Sequence, residues 1–382
     1  MTDIKDGNDR RSDPELVCGA MEPPLSPQAS AADSRSGTGW SVVWARLLVG
    51  MVVLICAEVF SGDSLQVGLW HPWTLLMTYW LYFAHFFFFT TLAVRKGRTS
   101  FWSLYLWGVL FGLYESWITK VIWYGYSGDG NLVLGSIGPY GISEMSMVLI
   151  FHPMMAFIFP LAVTCLLCPP LRRLFPDLAW FTSSSNVARM VRGYVVFSFA
   201  PVMAMNSGGP LNLAVNLAVA IAVAALLSRW ARPALDSHEG RPIVVFGRRG
   251  FVGLCVYLLW LYGVTYFFLR PEGLPSAAVQ LGTLAFYALA IGGLWLHRRR
   301  EPLDGDAARV EKRELRMVAL LFAVLAVLAL GLSAFSKSPL LFGIIVPNFV
   351  VWIILGVLLF AAALALAVRE TLAQRRGNHA TT

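Results

Sequence analysis

Charge is scarce in this chain. Of its 382 residues only 14% are Asp, Glu, Lys or Arg. A soluble domain carries about 25%, so composition excludes an ordinary water-soluble globule. Cysteine is also rare, with Cys18, Cys56, Cys165, Cys168 and Cys255 making up the five. Four of these lie in apolar runs, which excludes a disulfide framework. Cys165-x-x-Cys168 has the spacing of half a metal site, but no second half follows nearby. The pair therefore reads as small apolar residues at the end of a span, and neither a metal nor another cofactor is expected. A secretory leader is not expected either, because the basic start is not followed directly by an apolar stretch.

What the chain has instead is apolar length. Hydrophobic residues make up 57%, and the mean hydropathy is +0.64. Residues 1–39 are the exception, being rich in Asp, Ser, Pro, Arg and Gly. Such a segment buries too little surface to offset its ordering entropy, so a disordered cytoplasmic region is expected there. From Trp40 onward, apolar runs long enough to cross a hydrocarbon core of roughly 30 Å alternate with short polar breaks. The pattern predicts an all-α, polytopic transmembrane helix bundle over 40–370. Ten spans are expected, at 43–60, 72–94, 101–123, 142–168, 191–206, 211–228, 251–269, 277–296, 317–335 and 341–368, with a short tail over 371–382. Pro201 predicts a kink or break in the fifth span.

The basic residues set the threading. All 30 Lys and Arg residues, apart from Lys120, Arg270 and Lys337, fall in the N-terminal region, in or beside the breaks after spans two, four, six and eight, or in the tail. This positive-inside alternation predicts cytoplasmic termini and residence in the cell membrane. It also accounts for the net charge of +8 without nucleic acid, leaving the bilayer as the expected partner. The cluster Arg298-Arg299-Arg300 is a candidate for anionic-lipid contact, although topology alone explains it.

Ionisable residues within spans are costly and mark candidate sites. Glu115 and His152 are the deepest. Each lies roughly 12 Å below the outer end of its span by helix rise, on consecutive antiparallel spans, so the two could meet. Glu58, Lys120, Glu144, Asn206 and Asn212 gather in the same outer half. Together they predict a polar cavity for a small or lipidic ligand, with these five as ligand-binding residues. The plainer alternatives are hydration at the interface for Glu58 and Glu144, snorkelling for Lys120 and helix–helix hydrogen bonds for the Asn residues. Ser127-Gly-Asp-Gly-Asn131 resembles a fragment of a calcium loop but reads better as a turn, since the other ligands are missing.

The stretch with Glu58-x-x-Ser61-Gly62, His71-Pro72, Trp107-Gly108 and Gly112-x-x-Glu115 resembles a group of uncharacterised polytopic prokaryotic membrane proteins. That likeness covers about residues 44–125 and implies no activity. A remoter similarity is to the CPBP intramembrane endopeptidases, in which Glu and His activate water for peptide hydrolysis. Glu115, His152 and Asn206 follow that order, and the resemblance implies catalytic roles for Glu115 and His152. The paired Glu of that superfamily is single here. Three functions follow as expectations: ligand binding without covalent chemistry, intramembrane hydrolysis, and proton-coupled transport with Glu115 or Glu144 titrating.

Overall fold

Proline and glycine decide where the helices of this bundle widen, stop and touch. The computed structural model describes residues 39–62, 65, 68–237, 239–301 and 310–379. The expected disordered region therefore lies outside the described residues except for Gly39. Ten long helices follow one another. They are α1 (Gly39–Val59), α2 (Thr74–Arg95), α3 (Phe101–Gly112), α4 (Ile142–Leu167), α5 (Asn186–Asn206), α6 (Pro210–Leu235), α7 (Arg248–Phe268), α8 (Ala277–Leu296), α9 (Lys312–Ser333) and α10 (Pro339–His379). All but α3 are long and apolar enough to cross a membrane, so the protein is an all-α polytopic bundle. The two short strands Ser136–Ile137 and Tyr140–Gly141 form a hairpin in the loop before α4.

The third span differs from its expectation as one helix over 101–123. It stops at Gly112, continues as the turn Tyr114–Trp117, and resumes at Val121–Tyr124. The break lies at Lys120, which adopts left-handed backbone geometry with φ 59°. The ammonium group explains why. Lys120 is fully buried, and its Nζ donates to the carbonyl oxygens of Thr265, Ile118 and, at 2.5 Å, Leu269. Thr265 and Leu269 are at the C-terminal end of α7, where the dipole favours a cation; Thr265 O also accepts from Leu269 N at 3.0 Å. By contrast, α5 and α10 run unbroken through Pro201 and Pro347. The last helix also continues through much of the segment expected as a tail.

Three stretches are wound wider than an α-helix, with i→i+5 hydrogen bonding: Ile55–Val59 in α1, Thr74–Thr78 in α2 and Met147–Ile158 in α4. The last contains Pro153, which has no N–H to offer the preceding turn. Beside it, Leu149 O accepts from Tyr105 Oη at 2.6 Å. Gly108 and Gly112, four apart on α3, bring the two backbones together. A Cβ on Gly108 would lie 2.5 Å from Pro153 Cα, and one on Gly112 would lie 3.0 Å from His152 Cβ. Small residues at this spacing allow close helix contact in a membrane, where packing drives association.

Interhelical contacts place α4 centrally, against α1, α2, α3 and α10, while α6 packs on α1 and α7 on α2. Basic loops meet at one end. Arg46 donates to Pro242 O at 2.7 Å, Arg95 to Phe246 O at 2.7 Å, and Arg300 N to Gly97 O at 2.7 Å. Arg172 pairs with Glu314 at 2.9 Å. This convergence fits the alternation of basic breaks along the sequence.

Candidate functional site

The wide turn of α4 and the broken end of α3 bring together the two residues that helix rise placed at one depth. His152 Nε2 lies 2.9 Å from Glu115 Oε1, with the residues 1% and 7% exposed. A carboxylate can only accept, so Nε2 carries the hydrogen. The ring's Nδ1 is buried and has no hydrogen-bond partner. Thr119 Oγ1, one turn beyond Glu115, donates to the other carboxylate oxygen at 2.5 Å. The carboxylate is thus held from both sides, and it fixes the imidazole in one orientation.

Around the pair lies an aromatic shell with polar tips. Tyr82 and Tyr114 share a hydrogen bond of 2.9 Å between their hydroxyls, and the charges of Glu58 and Glu115 both bear on them. Phe111 stacks on the His152 ring at 6.1 Å and on His85 at 5.2 Å. His85 is bonded to Leu81 O at 2.8 Å and to Tyr262 Oη at 3.2 Å. Tyr82, Tyr114 and Tyr262 were not among the residues singled out from sequence. A Tyr immediately before Glu115, and another one helical turn before the Phe86–Phe89 run, were the available signals.

The remaining candidates settle elsewhere. Glu144 is fully buried and accepts from Ser143 Oγ at 2.8 Å and Val133 N at 3.3 Å. Asn206 Nδ2 donates to Ser61 O at 2.8 Å, and Asn212 Nδ2 to Leu65 O at 2.5 Å and Ser207 O at 2.7 Å. These two Asn side chains tether the segment after α1. Lys120 closes the end of α7. None of these four contacts the Glu115–His152 pair through a described hydrogen bond. Among the described residues, no group of three or more His, Cys, Asp or Glu side chains could hold a metal ion. Asp129 accepts from Ser127 Oγ at 2.5 Å and from Asn131 N at 3.0 Å, an Asx turn.

A cavity of about 520 Å³ opens beside this region, at the end opposite the basic loops. Ser61, Ser143 and Asn206 are among its polar lining, and Phe151, Phe349 and Trp352 among its aromatic lining. Phe151 immediately precedes His152, and Ser61 lies three residues after Glu58. Phe151 also packs edge-on against the His152 ring, with centroids 5.2 Å apart.

Residues 47–375 match the model of a family described as an uncharacterised membrane protein family. The chain belongs to that family. A family relative from Archaeoglobus fulgidus, described as an uncharacterised protein, is 27% identical over 307 residues, covering 77% of this chain and 90% of the relative. No solved structure matches the chain. The family match takes in Glu58, Glu115, Glu144, His152, Asn206 and Asn212, so the site lies wholly within the family's common region.

Proposed function

We propose that this member of the family resides in the cell membrane with both termini cytoplasmic, and that its outer-half cavity binds a small, lipid-derived amphiphile. The observation that carries this reading is the cavity of about 520 Å³, lined both by Ser61, Ser143 and Asn206 and by aromatic and aliphatic side chains. Sites of this size, mostly apolar with a few placed polar groups, suit small-molecule ligands. The polar side chains would take a hydroxyl or carbonyl head, and Phe151, Val202 and Trp352 the chain. A diazirine-bearing fatty alcohol, photoactivated with the protein in nanodiscs, tests the reading. Labelling is expected to concentrate in peptides containing residues 199–206 and 342–352, and Val202→Trp is expected to reduce it about tenfold. Labelling spread evenly over the lipid-facing helices and unchanged by Val202→Trp would overturn the proposal.

A second reading is supported by the unpartnered Nδ1 of His152. A ring oriented through Nε2–H by a carboxylate, with its other nitrogen open, is the arrangement of a general base. In an intramembrane hydrolase of the CPBP kind, Nδ1 would accept a proton from water as the water attacks a carbonyl. Glu115 would stabilise the resulting imidazolium. Glu115→Gln and His152→Gln are then expected to lose hydrolysis of reporter peptides or lipid esters by at least about a hundredfold, within the range general acid–base groups contribute. Equal turnover by the wild type and both variants would remove this reading and leave the binding reading standing.

A further inference from the structure

A second cavity lies at the basic end, between α2, α3 and α8, away from the site described above. Its volume is about 430 Å³, and its interior is lined by Phe89, Leu92, Leu110, Ile291 and Leu294. Lys96, Arg98 and Arg299 stand at its rim. An adjoining polar cavity of about 460 Å³ shares Arg98 and Arg299 and adds His297, Arg298, Thr371 and Gln374.

Two buried donors in the first cavity's wall have no partner. Arg98 is 9% exposed, and while its Nη2 donates to Trp295 O at 2.8 Å, its Nη1 has no hydrogen bond. Trp107 Nε1 is likewise unpartnered. A buried donor left unsatisfied is costly and needs an explanation. Nearby acid does not supply one. Glu370 is engaged by Arg298 N at 2.8 Å and His297 Nδ1 at 3.2 Å, and Asp177 by Arg300 at 2.5 Å. Among the described residues, no carboxylate pairs with Lys96, Arg98 or Arg299. Burial, and then the neighbouring Arg299, lower the Arg98 guanidinium from its ordinary range. The site is thus an apolar pouch whose rim has positive charge and unpaired hydrogen-bond donors; the charge of Glu370 bears on Arg98, but its carboxylate is bonded to Arg298 N and His297.

We propose that this cavity holds an acyl chain of an anionic phospholipid from the basic-side leaflet, with the lipid phosphate bound at Arg98, Lys96 and Arg299. Guanidinium groups suit phosphate oxygens, which accept several charge-assisted bonds at once. The apolar interior excludes free phosphate as the whole ligand, because it would leave Phe89, Leu110 and Ile291 lining an empty pouch. Bound lipid would also tie the α2–α3 loop to the end of α8, which Arg300 N and Arg98 already bridge.

The test uses the full-length protein in mixed phosphatidylglycerol and phosphatidylcholine micelles, with retained lipid read by native mass spectrometry. Phosphatidylglycerol is expected to be retained and phosphatidylcholine to wash away. The double variant Lys96→Gln, Arg299→Gln removes two charges at the surface and is expected to weaken retention about twentyfold. Ile291→Trp fills the pouch from a half-exposed position with every charge intact, and is expected to cause a comparable loss. Inorganic phosphate should not displace the lipid. Equal retention of phosphatidylcholine would overturn the headgroup assignment. Full retention by Ile291→Trp, or displacement by inorganic phosphate, would overturn the acyl-chain assignment.

Discussion

Helices α1 to α4 and helices α6 to α10 face different surroundings. In its most apolar window, α4 has 83% of residues buried within the protein and α1 has 61%, whereas α6 and α10 have 17% each. The inner helices carry imidazole at depth, His85 on α2 and His152 on α4, and bury the carboxylates Glu58 and Glu144 near the ends of α1 and α4. The outer helices carry charged residues only towards their ends. Hydropathy alone does not separate the two groups, since all but the short α3 are long and apolar enough to span. The difference teaches that polarity within a span reports burial against protein. A titratable group facing lipid is expensive, while one facing other helices can be hydrogen-bonded.

The sharpest way to break this comparison is to remove one member of the buried pair. Glu115→Ala leaves His152 Nε2–H and the Thr119 hydroxyl without their acceptor in a dry site and is expected to cost about 2–5 kcal/mol, measured by denaturant unfolding in micelles followed by circular dichroism. A loss under about 1 kcal/mol would mean the pair is hydrated and the inner group is not a packed polar core. Next in size is Gly108→Leu, which forces side-chain atoms against the α4 backbone and is expected to destabilise by about 1–3 kcal/mol. Tyr105→Phe, which removes the hydroxyl bonded to Leu149 O, is expected to cost about 0.5–1.5 kcal/mol. In the outer group, Leu259→Ala on α7, where Leu259 is 74% exposed, should change stability by no more than about 0.5 kcal/mol. If Leu259→Ala cost as much as Gly108→Leu, the distinction between inner and outer helices would fail.

The smallest effect is electrostatic and lies in the loop before α4. The Ser127 hydroxyl, followed by the Asn131 backbone N–H and side chain, lowers the Asp129 carboxyl to about 2. The folded value is depressed, so the turn's contribution is present above the unfolded carboxyl range near pH 4 and is lost as pH falls through about 2. Carbon-13 titration of labelled Asp should find this midpoint, and Ser127→Ala should move it upward. A midpoint near 4 in the wild type would show that the turn does not hold its carboxylate.

Much of the inner group was legible in the sequence. Apolar run length placed nearly every span, and the rise of 1.5 Å per residue set Glu115 level with His152. Depth along an axis follows from counting, but rotation about it does not. That the two side chains meet depends on the helix ending at Gly112 and on the wide turn around Pro153, neither of which simple α periodicity describes. The Gly108-x-x-x-Gly112 spacing was visible and marks a face of α3 for close helix contact, though it does not name the partner. Lys120 was harder to place. Its acceptors belong to Thr265 and Leu269, some 145 residues away, and a backbone carbonyl has no signature in sequence. Nor could the Asn206 and Asn212 tethers be read, because each ends on main-chain oxygen.

The wide turn of α4 also has a consequence for length. A helix closed by i→i+5 bonds holds more residues per turn than one closed by i→i+4 bonds, so Met147–Ile158 stores surplus chain within a span. Tightening to ordinary pitch would release that surplus. The segment could therefore absorb the loss of a residue with little shortening, while swinging His152 about the axis and away from Glu115. Tolerance of the span and tolerance of the site are thereby uncoupled. The membrane would accept a one-residue deletion between Met147 and Phe151 that the carboxylate–imidazole pair would not.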